Sequence, residues 1–232
     1  MLDWSFPPGL WEAIGLTLKL AAVSSLALLA IGIPLAHWLT SSRMRGVIVA
    51  ETLVSLPIVL PPTVIGFYLL VLMSPGQPVG AAWVHVFGQP LPFSFTGLVI
   101  GSIIYSLPFA VQPIQAAFRA VRPEMVQTAL ALGLTRRQVF WSIILPLSKN
   151  GVLAGASLSF AHTMGEFGVV LMLGGNIEGQ TRVASIALYD EAQQLHYDTA
   201  HAYALVLLAI SFLILITIAV LQRRQHRMLL GA

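Results

Sequence analysis

The chain has 232 residues, of which 57% are hydrophobic and 9% charged, and its mean hydropathy is +0.84. A soluble domain carries roughly 25% charged residues, so the composition excludes that class and points to an integral membrane protein. The net charge of +3 and pI near 9.6 would suit a nucleic-acid binder. Ten of the twelve Lys and Arg, however, fall in short segments beside or between apolar runs, which is a topology pattern and not an anion-binding surface. With no cysteine, a disulfide framework and a thiolate metal site are both excluded.

Met1-Leu2-Asp3 lacks a basic n-region, so the first apolar run is not expected to be a cleaved signal peptide. Trp4 and Trp11 flank that run's start, as aromatic anchors at an outer interface would. A membrane-crossing helix needs about 20 mostly apolar residues, and five runs qualify, at 10–39, 47–73, 95–118, 151–173 and 202–221. Lys19 lies near one end of the first, where its long side chain can reach the interface. The second contains Pro57, Pro61 and Pro62; each removes a helical hydrogen bond, so this span is expected to be kinked or locally unwound, facing protein or water. The third contains Pro108 and Pro113. Residues 222–232 form a basic tail with Arg223, Arg224 and Arg227.

Between the third and fourth runs lies a polar, cationic island, 119–150. Pro123 has the fixed φ of a first helical turn, and Glu124 sets a carboxylate at the positive end of the helix dipole. Gly133 should end this short helix at a positive φ. Thr135 and Gln138 form a capping box for a second helix beginning at Arg136, which Pro146 should stop. Val139, Phe140, Ile143 and Ile144 recur at three- and four-residue steps, giving one face for burial and a cationic end for a partner. Taken alone, helix-glycine-helix with arginines also fits a DNA-reading helix-turn-helix, but the apolar neighbours exclude that reading.

Counting sides places Arg43, Arg45, Arg119, Arg122, Arg136, Arg137, Lys149, Arg223, Arg224 and Arg227 on one side and only Arg182 on the other. The first side is therefore expected to be cytoplasmic, with the N-terminus outside and 74–94 and 174–201 as external segments. No internal repeat is visible, which disfavours a transporter built from duplicated halves in one chain.

Gln127-Thr128-Ala129, then Gly133, then Ile143, Leu145 and Pro146 resembles the EAA loop of binding-protein-dependent ABC importer permeases. Ala129, Gly133, Ile143, Leu145 and Pro146 stand at the family spacing, while Gln127 and Thr128 replace Glu and Ala. Leu60-Pro61-Pro62-Thr63-Val64-x-Gly66, Gly165-Glu166-Phe167-Gly168, and Gly175-Asn176-Ile177 with Thr181 are similar to the molybdate permeases of that family, with tungstate and sulfate permeases as close relatives. The resemblance implies an all-α type I permease domain over 10–221, located in the bacterial inner membrane and working as a homodimer. It further implies a coupling helix that docks on two cytoplasmic ABC ATPase subunits, and an external solute-binding protein that delivers the oxyanion. Gln127, Thr128, Ala129, Gly133, Arg136, Arg137, Phe140, Ile143, Leu145 and Pro146 are the expected coupling residues.

The lysines, Lys19 and Lys149, end no GxxxxGK[ST] run, so no P-loop cradles ATP here; ATP and magnesium are expected on the partner chain, with no cofactor and no catalytic residue on this one. The six histidines and nine carboxylates show no metal-ligand cluster. His162 and Glu166 stand four apart inside the fourth run, and an intramembrane ionisable pair can relay protons. A proton-coupled secondary transporter is thus the rival from another class. Flanked by Gly165 and Gly168, Glu166 is instead expected to hold a tight helix contact or backbone donors beside the gate. His37, His85, His196 and His201 are read as surface histidines. No arginine lies in mid-membrane, so an oxyanion would meet hydroxyls, backbone N–H groups and helix N-termini opened by the prolines. Pro61, Pro62, Thr63, Ser106, Gln112, Ser159 and Thr163, together with Gly165, Glu166 and Gly168, are the pathway and gate candidates.

Overall fold

The structure is a computed structural model and describes residues 7–42 and 44–229, without the side chains of 218, 219 and 221–229. Trp4, Arg43 and the side chains of Arg223, Arg224 and Arg227, all used in the sequence reading, lie outside the described residues. Every regular element described is helical.

The first run is one helix, α1 (Leu10–Ser41), with Glu12 in its first turn and Pro34 inside it. The second is two helices. Here α2 (Val47–Val59) and α3 (Pro62–Met73) diverge by 114°. Proline has no N–H and pushes its predecessor to extended backbone, and Leu60 accordingly has ψ 138°. At 1.5 Å per residue each half is roughly 20 Å long, short of a hydrocarbon core of about 30 Å. The segment after it, read as an external connection, contains α4 (Pro78–Phe87), which Gly88 ends at φ +73°.

The third run is α5 (Phe95–Arg119), capped by the Ser94 hydroxyl, which accepts from the Gly97 N–H at 3.1 Å. The polar island follows as α6 (Pro123–Ala131), α7 (Arg136–Val139), a π-helical turn over Phe140–Ile144, and the short α8 (Leu145–Leu147). The fourth run is also broken, into α9 (Lys149–Met164) and α10 (Gly168–Gly174). No proline stands at this break; a Cβ on Gly168 would lie 2.7 Å from the Pro62 Cβ, so α10 starts where it can press against the start of α3. Last come α11 (Ala184–Gln193) and α12 (Tyr197–Leu229).

Three of the described helices, α1, α5 and α12, are long and apolar enough to cross a membrane, and the count reaches five if each of two bent pairs is one span. One of those pairs is α2 with α3; the other joins 136–147 to α9 across a 69° bend.

The bundle is built on mutual packing of α1, α5 and α9. Leu98, Ile65, Leu69, Val169, Val170 and Leu173 bury the joint between α3, α5 and α10. Ala36, Val54, Val111, Ile114 and Phe118 fill the end where α1 and α5 finish. At the opposite end Leu10, Ile14, Ala184, Ala187 and Tyr203 bind α11 to α1 and α12, and the Ala184 N–H donates to the Thr17 hydroxyl at 2.8 Å. The segment 174–201 is therefore partly core. Thr181 is buried and donates to the Gly174 carbonyl at 2.6 Å, while Arg182 pairs with Asp190 at 3.2 Å and Glu191 at 3.3 Å.

Candidate functional site

The island between α5 and α9 forms a bracket beneath one end of the bundle. The Leu134 N–H returns to the Ala129 carbonyl and the Gly133 N–H to Leu130, so α6 closes on a reversed turn with Gly133 at φ +91°. The expected capping box is present: the Thr135 hydroxyl accepts from the Gln138 N–H at 3.3 Å, and Gln138 Oε1 accepts from the Thr135 N–H at 2.8 Å. The helix begun at Arg136 ends at Leu147, one residue past Pro146, where the chain bends by 69° into α9. The Pro146 ring would clash with the carbonyl four residues back in an α-helix, and the chain widens before it into the π turn over Phe140–Ile144.

Of the coupling candidates, Ala129 is buried, Phe140, Ile143 and Leu145 are half-buried, and Gln127, Thr128, Arg136, Arg137 and Pro146 are exposed. Val139 is 2% exposed. Phe140 packs 4.5 Å from the His37 ring and 5.9 Å from Phe118, so the bracket grips the ends of α1 and α5 through three aromatic rings. His37 is thus half-buried in an aromatic cluster and not a plain surface residue. Leu132 and Trp141, 76% and 58% exposed, add apolar surface beside the arginines. Sequence periodicity missed both, because they lie on the face away from the bundle.

The interior candidates divide. Ser106 Oγ lies 2.8 Å from His162 Nδ1 and 3.0 Å from Thr163 Oγ1, and the His162 ring stacks 3.8 Å from Phe109. Glu166 stands past the end of α9, so it shares no continuous helical face with His162, and its buried carboxylate lies by the Ser102 hydroxyl without meeting regular hydrogen-bond geometry with any described residue. The expected hold on backbone donors is not seen; the Glu166 carbonyl instead accepts from Ser185 Oγ at 2.7 Å. Gly168 makes the tight contact expected of the pair of glycines, and Gly165 does not, since a Cβ there would meet nothing nearer than 3.8 Å. Ser159 is buried and bonds within its own helix, to Ala156. Thr63 is exposed at the start of α3, next to Pro61 and Pro62.

Gln112 opens onto a polar cavity of about 280 Å³ between α2 and α5, lined by Glu51, Ser55, Gln112, Gln115 and Arg119 with Leu39, Val54 and Ala116. Gln112 Nε2 donates to Ser55 Oγ at 3.1 Å, Gln115 Nε2 to Glu51 Oε1 at 2.6 Å, and the Arg119 guanidinium to that same oxygen. Sequence reasoning misses Glu51, Ser55 and Gln115, although a signal for them exists. Glu51 and Ser55 are four apart, and Gln112, Gln115 and Arg119 follow three- and four-residue steps, each set on one helical face.

Comparison with known proteins matches residues 28–228 to the family described as binding-protein-dependent transport system inner membrane component. The chain is 46% identical over 205 residues to the molybdenum transport system permease protein ModB of Azotobacter vinelandii, covering 88% of this chain and 90% of that one. It is 34% identical over 224 residues to the sulfate transport system permease protein CysT of Escherichia coli, covering 97% and 80%. Its fold superposes on a chain of a bacterial ABC transporter that imports the acidic polysaccharide alginate, with a TM-score of 0.78 at 20% identity, covering 94% and 80%. A chain of the MetNI methionine ABC transporter superposes with a TM-score of 0.67 at 16% identity, covering 93% and 94%.

Proposed function

The chain belongs to the binding-protein-dependent transport system inner membrane component family, and from that premise we propose that it is the permease subunit of an ATP-driven molybdate importer. It is a multi-pass inner membrane protein. Residues 10–221 form the permease domain, with five spans, an external N-terminus, and the arginine-rich end, including 222–232, in the cytoplasm. Two copies pair to enclose one pathway, two ABC ATPases supply the energy, and an external solute-binding protein delivers the anion. The neighbours that share the fold are chains of ABC transporters, one of them involved in alginate import, and a structure of a bacterial alginate ABC transporter holds it in complex with a periplasmic protein.

The observation that carries the coupling reading is the bracket 123–147. Its outer face presents Arg136, Arg137, Leu132 and Trp141, and its inner face reaches α1 and α5 through Phe140, His37 and Phe118. A partner that moves the outer face therefore tilts the ends of two central helices. The rival proton relay loses its geometry, since His162 bonds Ser106 and the helix ends before Glu166.

Substrate choice rests on the relatives, at 46% identity for the molybdenum permease against 34% for the sulfate one. Proteoliposomes carrying the chain with its ATPase and binding protein should take up radiolabelled molybdate with ATP inside and prefer it to sulfate. Preferential sulfate uptake would move the assignment to the sulfate branch, and uptake by the chain alone under a pH gradient would end the ATP-driven reading.

A further inference from the structure

The cavity between α2 and α5 joins a donor face to an acceptor face. From α5 come two amides and a guanidinium, Gln112, Gln115 and Arg119, and every hydrogen bond described for these side chains runs to α2. The acceptors there are the Ser55 hydroxyl and one carboxylate oxygen of Glu51, which takes both the Gln115 amide and the Arg119 guanidinium. A tetrahedral oxyanion offers acceptors only, and an oxygen receiving an amide and a guanidinium together is how such a dianion is held. Glu51 thus sits where an oxyanion oxygen would sit.

We propose that this cavity is an oxyanion vestibule at the cytoplasmic mouth, in which Arg119, Gln115 and Gln112 bind the transported dianion and Glu51 is its internal surrogate. The inference rests on the oxyanion-import reading and adds a binding site and a release step to it. When α2 leans away from α5, Glu51 and Ser55 leave with it and the three donors are free to take the anion. When α2 returns, the carboxylate reclaims Arg119 and the like charge expels the anion. The chemistry is an exchange of one anionic acceptor for another, with no proton or covalent step. Position supports it: Arg119 is the last residue of α5, and Glu51 lies in the first turns of α2, at the end where the bracket attaches.

An ion pair that merely ties two helices makes a different prediction, because either partner's removal cuts the tie equally. The test is equilibrium binding of radiolabelled molybdate to the chain–ATPase complex in nanodiscs, without binding protein. Glu51→Gln should tighten binding about tenfold, the scale of one close charge pair, and slow release into the lumen of proteoliposomes. Arg119→Gln should reduce binding below detection. Shifts in the same direction for both variants would overturn the proposal. Should either fail to assemble with the ATPase, Gln115→Met, which keeps the ion pair and removes one donor, should weaken binding several-fold, and unchanged binding would overturn the proposal. A wild-type complex that takes up neither molybdate nor sulfate would end the import reading itself, whereas wild-type uptake with parallel variant effects would end only the vestibule.

Discussion

The break between α2 and α3 and the break between α9 and α10 meet, yet they arise from different causes. At the first, two successive prolines remove donors and hold the backbone extended, so the chain would part there in any surroundings. At the second, 165–167 carry no proline, and the interruption lets Gly168 press against Pro62. One interruption is local chemistry and the other is packing against it. A broken helix inside a membrane is tolerated where protein covers the freed backbone; Glu166 and Gly168 at the second break are buried, whereas Pro61 and Thr63 at the first are exposed.

Substitutions at the two glycines of the second break sharpen this contrast. The largest effect is expected from Gly168→Val, whose added atoms meet the Pro62 side chain and the Thr63 backbone at 2.7 and 3.1 Å. Overpacking at such a contact costs about 1–3 kcal/mol, so the detergent-solubilised chain should unfold at a clearly lower temperature. The smallest effect is expected from Gly165→Ala, where the space is open and φ is −91°; stability should stay within about 0.5 kcal/mol. Equal losses for the two would mean that the break depends on glycine flexibility and not on the contact with α3.

The same contrast explains what could be read from the chain. The Pro61 break, the Pro123 start, the Gly133 turn and the Thr135–Gln138 capping box all depend on residues within a few positions of each other, and each appears as expected. Long apolar runs located α1 and α5 to within a few residues. The break at Glu166 and the burial of α11 depend on partners far along the chain, and hydropathy carries no trace of them. His162 and Glu166 show the cost most directly: spacing by four means a shared face only while the helix continues, and it stops at Met164. The vestibule was half legible. Gln112 stood out as polar, but its partners became visible only once α2 lay against α5.

The central claim is that ATP-driven motion enters the bundle through the bracket, and Gly133 tests it most directly. Its φ is +91°, and among the described residues nothing beyond its own chain neighbours lies within 4 Å of the position a Cβ would take, so a valine there would meet open space but a strained backbone, costing roughly 1 kcal/mol or more. Relief of that strain should rotate α7 and move Arg136, Arg137 and Trp141 away from their docking positions. Co-purification of the ATPase with Gly133→Val, together with molybdate uptake in the same cells, is the measurement. The expected result is an inserted, dimeric chain that retains little ATPase and takes up no molybdate; near-normal docking and uptake would contradict the coupling role of the bracket.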